Sequence, residues 1–103
     1  PNIISIIHLY NNDLVACRRL TSKLIEIAPK HKQIQFCGAE ADQVGAEEFE
    51  IESLPAILIY KNGELMEALF QITKFIGSQF SSKDVEVLLT ASGVLKFEDV
   101  DSE

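Results

Sequence analysis

The residues of this sequence that could do chemistry are two thiols and two imidazoles. The cysteines are Cys17 and Cys37, and the histidines are His8 and His31. Neither histidine has a Cys or a carboxylate at metal-ligand spacing, so we predict no metal site and no cofactor. A thiol becomes an effective nucleophile when its pKa is lowered, as happens at a helix N-terminus. The reactivity of the two thiols therefore depends on the elements that carry them.

The first third of the chain has the pattern of a strand, a helix and a second strand. Ile3–Tyr10 is an apolar, β-branched run that predicts a central strand buried on both faces. A helical period begins at Asp13 and continues towards Pro29, where we expect the helix to end. Alternation around Phe36 then predicts the second strand.

The two cysteines fall on different elements of this pattern. Cys17 shares the apolar helical face with Leu20 and Leu24, and burial there would raise its pKa and make it a poor nucleophile. Cys37 follows Phe36 in the second strand, where we expect a small core or near-core side chain. We therefore predict that neither thiol is a catalytic nucleophile. Both histidines are expected to be structural or solvated.

The second half of the chain adds a hairpin and further helices. Ala56–Tyr60 has the composition of a strand, and Asn62-Gly63 predicts a type I′ turn into the next one. The spacing of apolar residues in Gln71–Phe80 predicts a short helical insert, and Ser81 or Ser82 should cap a last helix. The whole pattern predicts an α/β fold with a mixed sheet flanked by helices.

Composition excludes several classes of protein. The 103 residues are enough for one domain. A formal net charge of −7 argues against nucleic-acid binding, which needs clustered Lys and Arg. The apolar run Ile3–Leu9 is far too short to span a bilayer. Two cysteines and no visible signal peptide indicate a reducing compartment, so we expect a cytoplasmic protein. Because the sequence begins at Pro1 rather than Met, we expect a fragment of a longer protein.

Two regions are candidates for contacting a partner. The stretch Glu40–Glu52 is acidic without a basic residue, and a solvated face is the favoured interpretation over a dedicated cation or partner site. Phe75 and Phe80, in the predicted insert, are the aromatic residues we expect to be partly exposed. The contact candidates are Glu47, Glu48, Glu50, Phe75 and Phe80.

The order of elements and the segment from Leu54 to Glu64 resemble the thioredoxin fold. In that fold a cis-proline precedes the hairpin, which would make Pro55 cis. A thioredoxin also has a C-x-x-C motif at the start of the first of these helices, where the helix dipole favours a thiolate. The corresponding positions here are Leu14, Val15, Ala16 and Cys17. The resemblance thus implies a degenerate redox site whose nucleophile position is Leu14.

More specifically, the chain resembles the C-terminal thioredoxin-like domain of the phosducin family. The segments that carry this likeness are Ile7-His8-Leu9-Tyr10 followed by Asn12-Asp13 and Cys17, then Gln35-Phe36-Cys37, Val44-Gly45-Ala46 followed by Phe49, the Leu54–Leu65 hairpin, the insert with Phe80, Asp84-Val85-Glu86 and Gly93-Val94-Leu95. The resemblance implies a non-catalytic interaction module that binds the G protein βγ dimer and assists its assembly with the cytosolic chaperonin.

The resemblance also implies that the fold is incomplete at its beginning. We expect residues 1–95 to form a thioredoxin-like domain that lacks the first strand and helix of the complete fold, followed by an acidic C-terminal tail at 96–103. The strand Ile3–Tyr10 would then have an unpaired position beside it.

Two other functions stay open at this point. The chain could be a weak thiol redox protein that uses Cys17, with or without Cys37, although a disulfide between them needs Cα atoms within about 7 Å. It could also be a thioredoxin-like adaptor for an unrelated partner.

Overall fold

The computed structural model describes residues 2–45 and 50–96. The strands are β1 (Ile4–Tyr10), β2 (Ile34–Glu40), β3 (Ala56–Lys61) and β4 (Glu64–Leu69). The helices are α1 (Val15–Ile27), α2 (Thr73–Ile76) and α3 (Ser82–Ala91), with single 3-10 turns at Ala28–Lys30 and Ile51–Ser53. In the described part of the chain, no helix is long and apolar enough to cross a membrane.

The sheet has the strand order β2-β1-β3-β4. β1 is parallel to β2, with Ile6 opposite Phe36, and antiparallel to β3, with Ile6 opposite Ile59. The prediction that β1 is central is therefore confirmed. The expectation of an unpaired position beside β1 is wrong, because the crossover through α1 places β2 on one side and β3 fills the other. In the described residues the open edges of the sheet are the outer sides of β2 and β4.

One face of the sheet carries the main core. Ile6, Ile57 and Ile59 belong to the same buried cluster as residues from α1 and α3, and these two helices contact each other. The helix residues in this cluster are Leu20, Leu24, Ile27, Val85, Leu88 and Leu89. The helical period that predicted the inward face of α1 is confirmed by this packing.

Local signals fix the hairpin and the last helix. Asn62 and Gly63 both have positive φ, at 53° and 84°, as a type I′ turn requires. Ser81 is the N-cap of α3: its hydroxyl accepts from the Asp84 backbone N–H, and the Asp84 carboxylate accepts from the Ser81 N–H. This reciprocal capping box satisfies two backbone donors that the helix leaves free.

The predicted insert is mostly not helical, since α2 covers only Thr73–Ile76. The expectation that Phe80 is partly exposed is wrong, because its side chain is 1% exposed. Phe80 directly precedes the N-cap of α3, and a hydrophobic residue there commonly packs against the fourth helical residue. That residue is Val85, which lies in the same core cluster. Arg19 of α1 lies 5.8 Å from the centre of the Phe80 ring.

Candidate functional site

The start of α1 is the place where the fold could support thiol chemistry. Asn11 makes a tight turn, in which its side-chain oxygen accepts from the Asp13 N–H at 2.8 Å. Leu14 is the N-cap and, as an apolar residue, provides no side-chain cap. Val15, the first helical residue, is exposed. The position to which the resemblance assigns an attacking thiol, Leu14, thus holds a side chain without a nucleophilic atom.

Cys17 is the only sulfur at this site, and it is inaccessible. Its side chain is fully buried in a small cluster with Leu9 and Leu54. Burial raises the pKa of the Cys17 thiol, and this effect outweighs the opposing influence of the Asn11 backbone hydrogen bond and the nearby Arg18 charge. A buried thiol that resists ionisation is a poor nucleophile.

The peptide bond between Leu54 and Pro55 is cis, the isomer that the resemblance implies. Leu54 and Cys17 belong to one buried cluster, and Leu14 packs against it. The structure therefore brings together the degenerate motif and the cis-proline loop, which are some forty residues apart in sequence. Apart from the buried Cys17 thiol, the side chains of the two segments that meet here, Leu14 and Leu54, are aliphatic.

Cys37 does not lie in the core, so that expectation is wrong. Its side chain is exposed and both cysteines are free thiols. The reason is strand alternation: Phe36 packs against the main core, and its neighbour must point to the opposite face of the sheet.

The candidates for partner contact have different outcomes. Glu50 and Phe75 are exposed, with Phe75 59% accessible, so both can meet a partner. Glu47 and Glu48 lie outside the described residues. Phe80 is buried in the core and cannot reach a partner's surface in this conformation.

Both histidines are buried, and sequence reasoning missed what surrounds them. His31 Nε2 lies 2.8 Å from the Glu86 carboxylate, with both side chains almost fully buried. Glu86 precedes Leu89 by three residues in α3, so it lies on the inward face; that periodicity is a signal that could have identified it. His8 is buried with no carboxylate partner among the residues that the structure describes, and burial lowers its pKa to about 4.

The comparison with protein families adds an independent observation. A family model described as Phosducin matches residues 2–101. The chain belongs to the phosducin family. It is 33% identical to phosducin from Bos taurus over 87% of its length, and 29% identical to the human phosducin-like protein over 96%. It is also 30% identical to phosducin-like protein 1 of Dictyostelium discoideum over 92%. It spans only about a third of these relatives, at 37%, 33% and 30% of their lengths.

Similar solved structures include thioredoxins, and this likeness confirms the thioredoxin-like fold. The oxidised thioredoxin of Plasmodium falciparum matches 89% of this phosducin-family chain with a TM-score of 0.62 and 19% identity. The Fasciola hepatica thioredoxin matches the same share with a TM-score of 0.62 and 14% identity. The chain covers 82% and 81% of these two structures. At such identities the likeness concerns the fold alone.

Proposed function

We propose that this chain is a non-catalytic regulatory module that binds the G protein βγ dimer in the cytoplasm and assists assembly of that dimer with the cytosolic chaperonin. Membership of the phosducin family supports the class of partner. The observation that carries the non-catalytic part is Leu14, which stands where a thioredoxin needs its attacking thiol.

The alternative of a weak thiol redox protein has no comparable support. It would depend on Cys17, whose thiol is buried and has a raised pKa. A resolving thiol acts only after a first thiol has formed a mixed disulfide, and position 14 provides none. We therefore expect no turnover of insulin disulfides by the chain.

An insulin-reduction assay with dithiothreitol tests this directly. The wild-type chain and Cys17→Ser should both give the background rate. Leu14→Cys is the matched positive control, because it restores the two-residue spacing between thiols at the start of α1. Wild-type turnover above background that disappears in Cys17→Ser would show that the module is catalytic.

The contact surface for the βγ dimer is proposed to include Glu50 and Phe75. An exposed aromatic side chain can bury a large apolar area against a partner, and a carboxylate can steer association towards basic patches. Glu47 and Glu48 are retained as candidates from the same acidic stretch. The acidic residues after Lys96 could add to the same steering.

Binding of purified βγ dimer to the immobilised chain tests the partner and the surface together. We expect Phe75→Ala to weaken binding about tenfold, which corresponds to about 1.4 kcal/mol. Val87→Ala is the matched control, since Val87 is similarly exposed on α3. Glu50→Lys should slow association, whereas Glu64→Lys at the hairpin should not. A chain that shows no binding at any concentration tested would overturn the proposed partner.

A further inference from the structure

The chain has only two arginines, Arg18 and Arg19, and they are adjacent on the solvent-facing side of α1. Ser22 and Lys23 lie one turn further along the helix. Residues three and four apart are neighbours on a helix surface, so these four side chains form one surface, which we call the arginine patch. Together with the exposed Val15 they line a shallow groove of about 330 Å³. Nothing in the proposed function uses this patch.

The two arginines keep their full positive charge. The Arg18 guanidinium donates to the Asn12 backbone carbonyl at 2.6 Å, and the Arg19 guanidinium donates to the Gln79 side-chain oxygen at 3.0 Å. Both acceptors are neutral. No carboxylate of a described residue lies within ion-pair distance of either arginine. In a sequence with 16 acidic and 9 basic residues, the chain thus leaves two adjacent charges for an external anion.

This arrangement costs stability in the free chain. The first turn of α1 has no acidic residue, although a carboxylate there would interact favourably with the helix dipole, and two cations follow that turn directly. In addition, Nε of Arg19 is buried and makes no hydrogen bond with any described residue, whereas buried polar atoms are nearly always paired. An anion bound at the arginine patch would offset these costs, because it supplies the opposite charge that a partly buried cation needs.

The donors of the arginine patch match a phosphoryl group. Each guanidinium is a planar fork of N–H donors that fits phosphate oxygens bidentately. The hydrogen bonds to neutral acceptors hold Arg18 and Arg19 in place, so less freedom is lost when a ligand binds. The Ser22 hydroxyl and the Lys23 ammonium add donors from the next turn, and the ion pair of Lys23 with Glu26 is long, at 3.7 Å. Three terminal oxygens of a phosphoryl group can accept from more of these donors than the two oxygens of a carboxylate.

The net charge of the chain indicates the size of the ligand. A charge of −7 disfavours an extended polyanion such as a membrane surface, because that surface would also meet the acidic remainder of the chain. A compact anion responds mainly to the nearest charges, since salt screens those beyond about 8 Å at physiological ionic strength. We propose that the arginine patch binds a phosphoryl group of a small, soluble molecule. This site is independent of the proposed contact with the βγ dimer.

Titration of the nitrogen-15-labelled 103-residue chain with pyrophosphate at constant ionic strength tests the proposal. We expect saturable shifts of the amide signals of residues 15–23 and of the Nε–H signals of both arginines. Arg18→Gln/Arg19→Gln should weaken binding about tenfold, because it removes both charges and both forks. Lys32→Gln/Lys61→Gln is the matched control, since it removes the same charge from exposed side chains outside α1, and its affinity should stay within about twofold. Equal losses in the two variants, or no saturable shift at millimolar pyrophosphate, would overturn the proposal.

The variant Arg18→Lys/Arg19→Lys separates recognition of a phosphoryl group from general attraction between charges. It retains both positive charges but lacks the forks, so we expect pyrophosphate to bind about fivefold more weakly than to the wild type. An unchanged affinity would mean that the patch attracts any anion, which contradicts a phosphoryl site.

Two further ligands decide between the proposed occupant and the others. A hexaglutamate peptide that binds more tightly than pyrophosphate would assign the arginine patch to an acidic segment of polypeptide, whether from this protein or another. Vesicles of phosphatidylcholine and phosphatidylserine decide on a membrane surface. Cosedimentation with them that is lost in Arg18→Gln/Arg19→Gln, without saturable pyrophosphate binding, would assign the patch to a membrane. Either result would overturn the proposal, and weaker binding of both ligands than of pyrophosphate would support it.

Discussion

His8 in β1 and His31 after α1 are buried to the same extent, with 2% and 1% of their surfaces exposed. His31 has a carboxylate 2.8 Å from its Nε2, supplied by Glu86 of α3. His8 Nε2 has no partner among the described residues, and the nearest polar contact of the ring is a hydroxyl at 3.4 Å. Degree of burial therefore does not distinguish the two sites.

The hydrogen-bonding partners of the two imidazoles do distinguish them. His31 and Glu86 satisfy each other and connect the end of α1 to α3, so their role is structural. His8 has one nitrogen available beside a groove. A buried imidazole whose hydrogen bonds are complete holds a fold together, whereas one with a free nitrogen reduces stability and can serve a ligand.

The largest effect should come from breaking the His31–Glu86 pair. Glu86→Leu leaves His31 buried without its hydrogen-bonding partner, and we expect a loss of about 3 kcal/mol in the free energy of unfolding, the upper end for a buried polar group left unsatisfied. Urea denaturation measures this loss. The double variant His31→Leu/Glu86→Leu should recover most of it, since two apolar residues leave no buried polar group. Failure of the double variant to recover stability would show that packing, not pairing, carries the effect.

The pH dependence of stability should be due largely to His8 between pH 6.5 and 4. Its pKa is about 4 in the folded chain against 6.5 for the ordinary side chain, so within this window the unfolded state binds the proton and the folded state does not. Stability is therefore full above pH 6.5 and falls as the pH drops, by about 3 kcal/mol over the whole window.

The variant His8→Leu separates this contribution from those of the carboxylates. The difference in free energy of unfolding between this variant and the wild type should be constant above pH 7 and should grow progressively below pH 6.5. A constant difference across this range would mean that His8 is not held neutral by burial.

At neutral pH the same variant should be more stable than the wild type. Removing an unpaired buried nitrogen and filling its place with an apolar group should raise the free energy of unfolding by about 1 kcal/mol. This sign is opposite to that expected for Glu86→Leu. If His8→Leu were as damaging as Glu86→Leu, the two histidines would not differ in the way described above.

The smallest effect should come from Thr21→Val, which removes the hydroxyl at 3.4 Å from His8. We expect a change within about 0.5 kcal/mol in either direction. A loss above about 1.5 kcal/mol, measured by thermal and urea denaturation together, would identify Thr21 as a true partner of the imidazole.

Features determined by neighbouring residues could be predicted from the sequence. The apolar run of β1, the Asn62-Gly63 turn and the serine cap of α3 each have a local cause that pattern reasoning detects. The same reasoning predicts the wrong exposure for Phe80. Its position before the Ser81 cap places the ring in the core, and this outweighs its spacing from Phe75. A hydrophobic residue directly before an N-cap is a signal in the sequence, but it depends on one position rather than on a repeated spacing of apolar residues.

Features that depend on distant residues could not be predicted. The partner of His31 lies 55 residues away, and nothing near either residue indicates the other. The prediction of an unpaired position beside β1 is wrong, and the open edges lie along β2 and β4, since strand order is set by packing of the whole chain. The sequence predicts that Cys37 lies in a strand, but it does not show which face of that strand the helices cover. The prediction that Cys37 lies in or near the core is therefore wrong.

The central position of β1 has a consequence for the synthesis of the chain. Both strands that cover it come later, and the second is complete only at Lys61, 51 residues after Tyr10. At ordinary translation rates of about 5–20 residues per second, this interval lasts roughly 3–10 s. Throughout it, a segment rich in isoleucine and without Asp, Glu, Lys or Arg has the composition of an aggregation-prone strand. The element that organises the finished sheet is thus also the one that most needs shielding while the ribosome is still at work.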